Sequence, residues 1–372
     1  MKNTSQPLLE EYQLGDLNLK NRVIMASLTR GRATNPGLIP TPIMAEYYAQ
    51  RASAGLIISE GTWVNTQSIG FINVPGIYTQ EQVEGWKSVT KAVHDNGGLI
   101  FSQLGHIGAG AHPDLQNGRL PVGPSAVNIQ SQSFTPEGFK DTVTPHEMTA
   151  AEIHDTIQDY RQAAQNAKDA GFDGVEVHAI VGMLIPQFLS TATNKRTDRY
   201  GGSIENRARI IFEILDAIFE VWESNRVSVK FSPVMLSNVG IVKPDEETID
   251  LFKYILNTLN SYNLAFIHIV GPAEDLSGTP VEDLQDNYFA HFRNNYTGRI
   301  VANLGFTKES GNAIIQEGIA DLVSFGEPFI ANPDLVERFR DNLPLAESDR
   351  NTYYSGEENG YTTYPKAVIA GA

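Results

Sequence analysis

In the stretch GVEVHAIVGMLIPQFLS (174–190) an apolar run from Val175 to Val177 ends in a histidine, and almost nothing polar follows between His178 and Gln187. Such a histidine is either a donor or acid–base group at a strand end or a satisfied core residue. Other chemistry-bearing residues sit at the ends of similar apolar runs. Ser27, Thr29 and Arg30 follow one; Glu60, Gly61 and Thr62 another; Gln103 and His106 a third. Lys230, Ser232, His268, Asn303 and Glu327 occupy the same position in later runs. His106, His112, His178 and His268 could converge with Glu60 on a metal. However, no pair has the spacing of H-E-x-x-H and no carboxylate sits beside His178, so no metal is expected. The chain has no cysteine, which removes thiolate ligands and nucleophiles, and no G-x-S-x-G for a serine hydrolase. Glu60 and Glu327 are the one strand-end acid pair that could serve glycoside cleavage, and that option stays open. The remaining set, Thr29, Gln103, His178 and Lys230, is neutral donors plus one cation. It suits a flat heterocycle with carbonyls and ring nitrogens, on which Lys230 would stabilise negative charge.

These residues need a scaffold that gathers strand ends. Eight β-rich runs recur: 22–27, 55–61, 98–104, 172–178, 226–232, 264–270, 299–305 and 320–326. Near-continuous apolar runs mark parallel strands buried on both faces. Helical segments intervene, among them 79–98, 149–171 and 203–222, with Thr79 as an N-cap and Gly97-Gly98 as a stop in the first. Eight βα units predict an α/β fold, a (β/α)8 TIM barrel in one domain over 1–372, with the site at the C-terminal strand ends. A doubly wound sheet would want G-x-G-x-x-G, which is absent. The Gly/Pro-rich segment 105–147 reads as an excursion after strand three, lying over the barrel mouth. The tail, 345–372, reads as a loop folded back on the barrel.

Composition sets further limits. Of 372 residues, 41% are hydrophobic and the formal net charge is −16. Such an acidic surface repels phosphate backbones and anionic lipid, so neither nucleic acid nor a membrane is an expected partner. No apolar run reaches the roughly 18 residues of a membrane span, and the N-terminus lacks a signal-peptide pattern. A cytoplasmic monomer or homodimer is the expectation.

The blocks LGDLNLKNRVIMASLTRGRA, EYYAQRASAGLIISEGT, GFDGVEVH, TNKRTDRYGGSIENRAR, PFIANPDLVERFR and NGYTTYP span about residues 8–366. At these blocks the sequence resembles the old yellow enzyme family of FMN-dependent ene-reductases. The resemblance implies FMN at the barrel mouth, reduced by NADH or NADPH and passing hydride to the β-carbon of an activated alkene. It implies ring contacts from Thr29, Gly61, Gln103 and Lys230, with Ser27 and Leu28 also binding the cofactor. The phosphate end would fall to Asn303, Leu304, Gly305, Gly326 and Glu327. His178 would donate to the substrate carbonyl and Tyr361 would line the pocket.

The sequence departs from that family at the mouth. Where the family reads H-x-x-N-G-Y or H-x-x-H-G-Y, this chain has His178, Val181, Gly182 and Met183, so the second donor and the proton-giving tyrosine are gone. Where it reads Q-L-W-H-x-G-R, Gly105 replaces tryptophan and Ala109 replaces arginine. Leu304 stands in place of a glycine of A-N-G-G, and Glu327 in place of the arginine of F-G-R-P. Changes at the mouth with intact scaffold blocks indicate a pocket repurposed, or engineered, for a hydrophobic carbonyl or alkene substrate. Two alternatives remain: a flavin-free isomerase or cyclase using Glu327 or His178 as acid or base, and a non-catalytic binder of a small ligand.

Overall fold

A computed structural model describes residues 6–180, 182–236 and 240–367. Eight parallel strands close a barrel in chain order: β1 (Val23–Met25), β2 (Leu56–Trp63), β3 (Ile100–Gly105), β4 (Gly174–Ala179), β5 (Val227–Phe231), β6 (Phe266–Val270), β7 (Ile300–Asn303) and β8 (Leu322–Phe325). Each falls on one of the eight apolar runs. Almost every strand residue is buried, because helices cover the outside and side chains fill the inside. The expected helices form over Gln80–Asp95, Ala150–Asp169 and Ile204–Phe219. Thr79 and Gln82 close a capping box on the first, Thr149 and Glu152 on the second, and Ser203 caps the third.

The barrel interior is apolar below and polar above. At the N-terminal end Ile24, Ile58, Phe101, Phe266, Val301 and Leu322 pack together, and a hairpin (Tyr12–Leu14 with Leu17–Leu19) caps them with Leu14, Leu17 and Leu19. Strand residues two apart share a face. Glu176 and His178 therefore point the same way on β4, and register sets Glu176 beside Gln103 of β3 and His178 beside Lys230 of β5. Lys230 in turn pairs with His268 of β6. The β2–β3 pairing slips between Ile58 and Gly61, a bulge that re-aims the end of β2.

Between β3 and the helix Ala150–Asp169 the chain makes an antiparallel hairpin, Gln132–Thr135 with Gly138–Asp141, bridged to Phe71 beyond β2. The tail folds onto the loop after β1. Arg30 and Arg32 donate to the carbonyls of Thr352, Tyr353, Ser355 and Gly360. No described helix is long and apolar enough to cross a membrane.

Candidate active site

A hydrogen-bonded chain runs across the upper barrel. Lys230 Nζ donates to Ser27 Oγ at 3.1 Å, and Gln103 Nε2 donates to the same oxygen at 2.8 Å. Gln103 Nε2 also donates to Glu176 Oε1 at 2.8 Å. His268 Nδ1 lies 2.8 Å from Glu176 Oε2 and its Nε2 lies 2.7 Å from Ser324 Oγ. An ionised carboxylate only accepts, so His268 carries its proton on Nδ1 and accepts from Ser324. Burial pushes Glu176 up, but His268, Lys230 and Gln103 outweigh it and hold the carboxyl below its usual range. Burial lowers Lys230, and the Glu176 charge opposes that. The outcome is a buried carboxylate with both oxygens hydrogen-bonded and the Lys230 charge nearby.

This chain leaves specific atoms free. Ser27 already accepts two bonds, so its own O–H can point into the cleft. The Gln103 amide nitrogen is committed, so its Oε1 is the free acceptor, facing the bare Cα of Gly61. Thr29 is half-buried on the same loop. The cleft above has a volume of ≈ 640 Å³ and runs from Ser27, Leu28 and Lys230 past Asn303 to Gly305, Gly326 and Glu327. Sites for small organic ligands are typically roughly 300–1,000 Å³.

His178 lies beside Lys230 in the barrel register and is partly exposed. Its Nδ1 is buried with no partner, near the bare faces of Gly61 and Gly105. Burial, then the Lys230 charge, pushes its pKa down to about 3, so the ring is neutral at pH ~7. Met183 is buried in an apolar cluster with Trp63, Val74, Ile107 and Ala111, and its methyl lies against Gly105 beside His178. Val181 lies outside the described residues. Among the described residues no cluster of three acidic or imidazole side chains could hold a metal. His106 is instead buried and uses Nδ1 to accept from the Gly108 N–H.

Two expected positions need correction. Tyr361 does not line the cleft. It is fully buried, stacked on Tyr47 at 4.0 Å, with the Arg32 guanidinium 4.7 Å from its ring. The arginines that anchor the tail draw the ring behind β1. Glu60 and Glu327 do not act as a facing acid pair. Glu327 is exposed on the tail side, accepting from Tyr353 and Ser348. Glu60 is buried, with Oε2 accepting from the Arg30 and Gly31 N–H groups and Oε1 unpartnered.

Burial pushes Glu60 up to about 7, against those N–H groups and the nearby arginines. A carboxyl raised in the fold stabilises it below the unfolded pKa, and that stability is lost as pH climbs toward 7. Glu60→Gln does not titrate. The variant is expected to gain about 2 kcal/mol on wild type between about pH 5.5 and about pH 7.5. Paired chemical-denaturation curves at the two pH values check this; a constant difference would contradict it.

Glu176, which bridges Gln103 and His268, is the residue that reading strand tips alone leaves out. The signal was present: Glu176 precedes His178 by two, so both face the barrel interior.

Comparison with known proteins agrees with this geometry. The NADH:flavin oxidoreductase / NADH oxidase family profile matches residues 7–346. The chain is 39% identical to 12-oxophytodienoate reductase 7 of Oryza sativa subsp. japonica, over 96% of this chain and 94% of that one. It is 40% identical to morphinone reductase in complex with tetrahydroNAD, with a TM-score of 0.91 and 99% of each chain covered. An old yellow enzyme homologue from Zymomonas mobilis superposes with a TM-score of 0.90 at 38% identity, over 97% of this chain and 99% of that one. With its eight-stranded barrel, its polar strand ends and these relatives, the chain belongs to the NADH:flavin oxidoreductase / NADH oxidase family, that is, to the old yellow enzymes.

Proposed function

We propose that this chain is an NAD(P)H-dependent flavin enzyme. It acts on a hydrophobic alkene activated by a carbonyl, without a side-chain proton donor at position 183. The free atoms at the ring end of the cleft carry the reading: the Lys230 ammonium, the Ser27 hydroxyl and the Gln103 carbonyl. They offer two donors and one acceptor, which complement the carbonyls and ring N–H on the pyrimidine edge of an isoalloxazine. Gly61 leaves a flat wall beside them. The ring end therefore fits a flavin. When bound, the flavin supplies the redox chemistry, taking hydride from NAD(P)H and giving it to the substrate β-carbon.

The side chains do the rest. Lys230 opposes negative charge at its end of the site. Burial has already desolvated it, so its field there is stronger than in water. The neutral His178 ring has one N–H to give, and its Nδ1 is buried without a partner between Gly61 and Gly105. A substrate carbonyl bonded to His178 loses electron density from its alkene as charge develops on oxygen. Met183 packs beside His178 and has no proton to release, so the α-carbon takes its proton from water. The apolar wall of Trp63, Ile107 and Met183 favours a hydrophobic substrate.

The test is product analysis with a cyclic enone, flavin and 4-deuterated NADH. Deuterium at the β-carbon of the saturated ketone, at a rate above flavin alone, is the expected result. Product no faster than that background would overturn the reading. The charge-neutral variant Lys230→Met/Glu176→Gln removes the cation without stranding a buried carboxylate. It is expected to weaken flavin binding by tenfold or more, checked by fluorescence titration.

A further inference from the structure

The far end of the cleft has a different chemistry from the end that holds Lys230. Among the described lining residues the charged ones are Lys230, Glu327 and Glu347, so both side chains away from the ring end are acidic. Two of the nearby cations are committed elsewhere. Lys308 donates to the Phe339 carbonyl and to Asn342, and Arg338 to Asp334 and the Pro344 carbonyl. Arg350 is exposed and stands 4.0 Å from Glu327 itself. The backbone after β7 turns through left-handed conformations at Leu304 (φ 85°) and Gly305 (φ 74°). Glycine is the residue that makes such a turn without steric cost and leaves its N–H groups open to an anion. Leu304 keeps the turn but adds an isobutyl group, 41% exposed, on the cleft lining. A phosphate and a carboxylate are both acceptors, so at this end they repel and share no proton. A hydroxyl, by contrast, donates to a carboxylate.

Building on the flavin reading above, we propose that the far end of the cleft selects an uncharged, hydroxyl-terminated tail, so that this chain binds riboflavin at least as tightly as FMN. Glu327 and Glu347 accept from the terminal hydroxyls, and Leu304 and Leu345 cover the carbon edge of the chain. Any phosphorylated tail, that of FMN or of a dinucleotide, meets acidic groups and an apolar side chain.

Full-length protein stripped of flavin is titrated separately with riboflavin and with FMN, following the quenching of flavin fluorescence. The expected result is a riboflavin Kd equal to or below that for FMN, with only FMN binding weakening as ionic strength is lowered. Leu304→Gly/Glu327→Arg is expected to tighten FMN binding tenfold or more and to weaken riboflavin binding several-fold, reversing the preference. Wild-type FMN binding reproducibly tighter than riboflavin would overturn the tail proposal and leave the ring-end reading standing. No binding of either flavin would overturn both.

Discussion

Replacing His178 by alanine is expected to lower kcat/KM for a carbonyl-activated alkene by ~10²–10³. His178 has a buried Nδ1 with no partner, and burial and the Lys230 charge keep its ring neutral. A neutral donor aimed at a developing oxyanion in a water-poor site acts on the transition state more than on the bound substrate. The loss should therefore fall mainly on kcat. The variant should fold, since the buried Nδ1 has no hydrogen-bond partner to strand. Steady-state kinetics with a cyclic enone check it. A folded His178→Ala protein with unchanged kcat/KM would show that the substrate carbonyl is held elsewhere.

The opposite change should gain activity. Val181→Asn with Met183→Tyr introduces a second amide donor and a phenol, and enone reduction is expected to rise by ~10²–10⁴. Met183 is packed against the bare Cα of Gly105, so a larger ring must displace its neighbours. Crowding against Trp63 and Ile107 should cost ~1–3 kcal/mol of stability. A second readout separates proton delivery from general repair. In D2O the wild type should place deuterium on both faces of the α-carbon, because water has no fixed approach. The double variant should favour one face. A rate gain without facial preference would mean that the phenol is not the donor.

Much of the scaffold was legible because its signal is local. Parallel strands with helices outside and side chains within are apolar along their whole length, so eight short runs such as GLIISEG and RVSVKFS stood out. Strand tips then located Gln103, His178 and Lys230, which the register brings side by side. The hairpin under the barrel was missed, although QLGDLNL alternates leucines about a Gly15-Asp16 turn, the pattern of a two-residue hairpin loop. Tyr361 was misplaced for a different reason. Its position is set by Arg30 and Arg32, some 330 residues away in the chain, and NGYTTYP carries no local trace of them. Leu304 shows the same limit. Its left-handed backbone is imposed by the β7–β8 connection, against the ordinary preference of a leucine. The partners of Glu327 in the tail, Ser348 and Tyr353, likewise depend on a loop whose path only the folded chain defines.

In the proposed function, Ser27, Gln103 and Lys230 cradle an isoalloxazine ring. The most direct measurement is the visible spectrum of the full-length protein after incubation with riboflavin or FMN and removal of excess by gel filtration, followed by anaerobic NADH or NADPH. The account predicts a flavin band that travels with the protein, differs in shape from free flavin, bleaches on adding the nicotinamide, and is lost in Lys230→Met/Glu176→Gln. Colourless protein, with both flavins eluting among the small molecules, would contradict it.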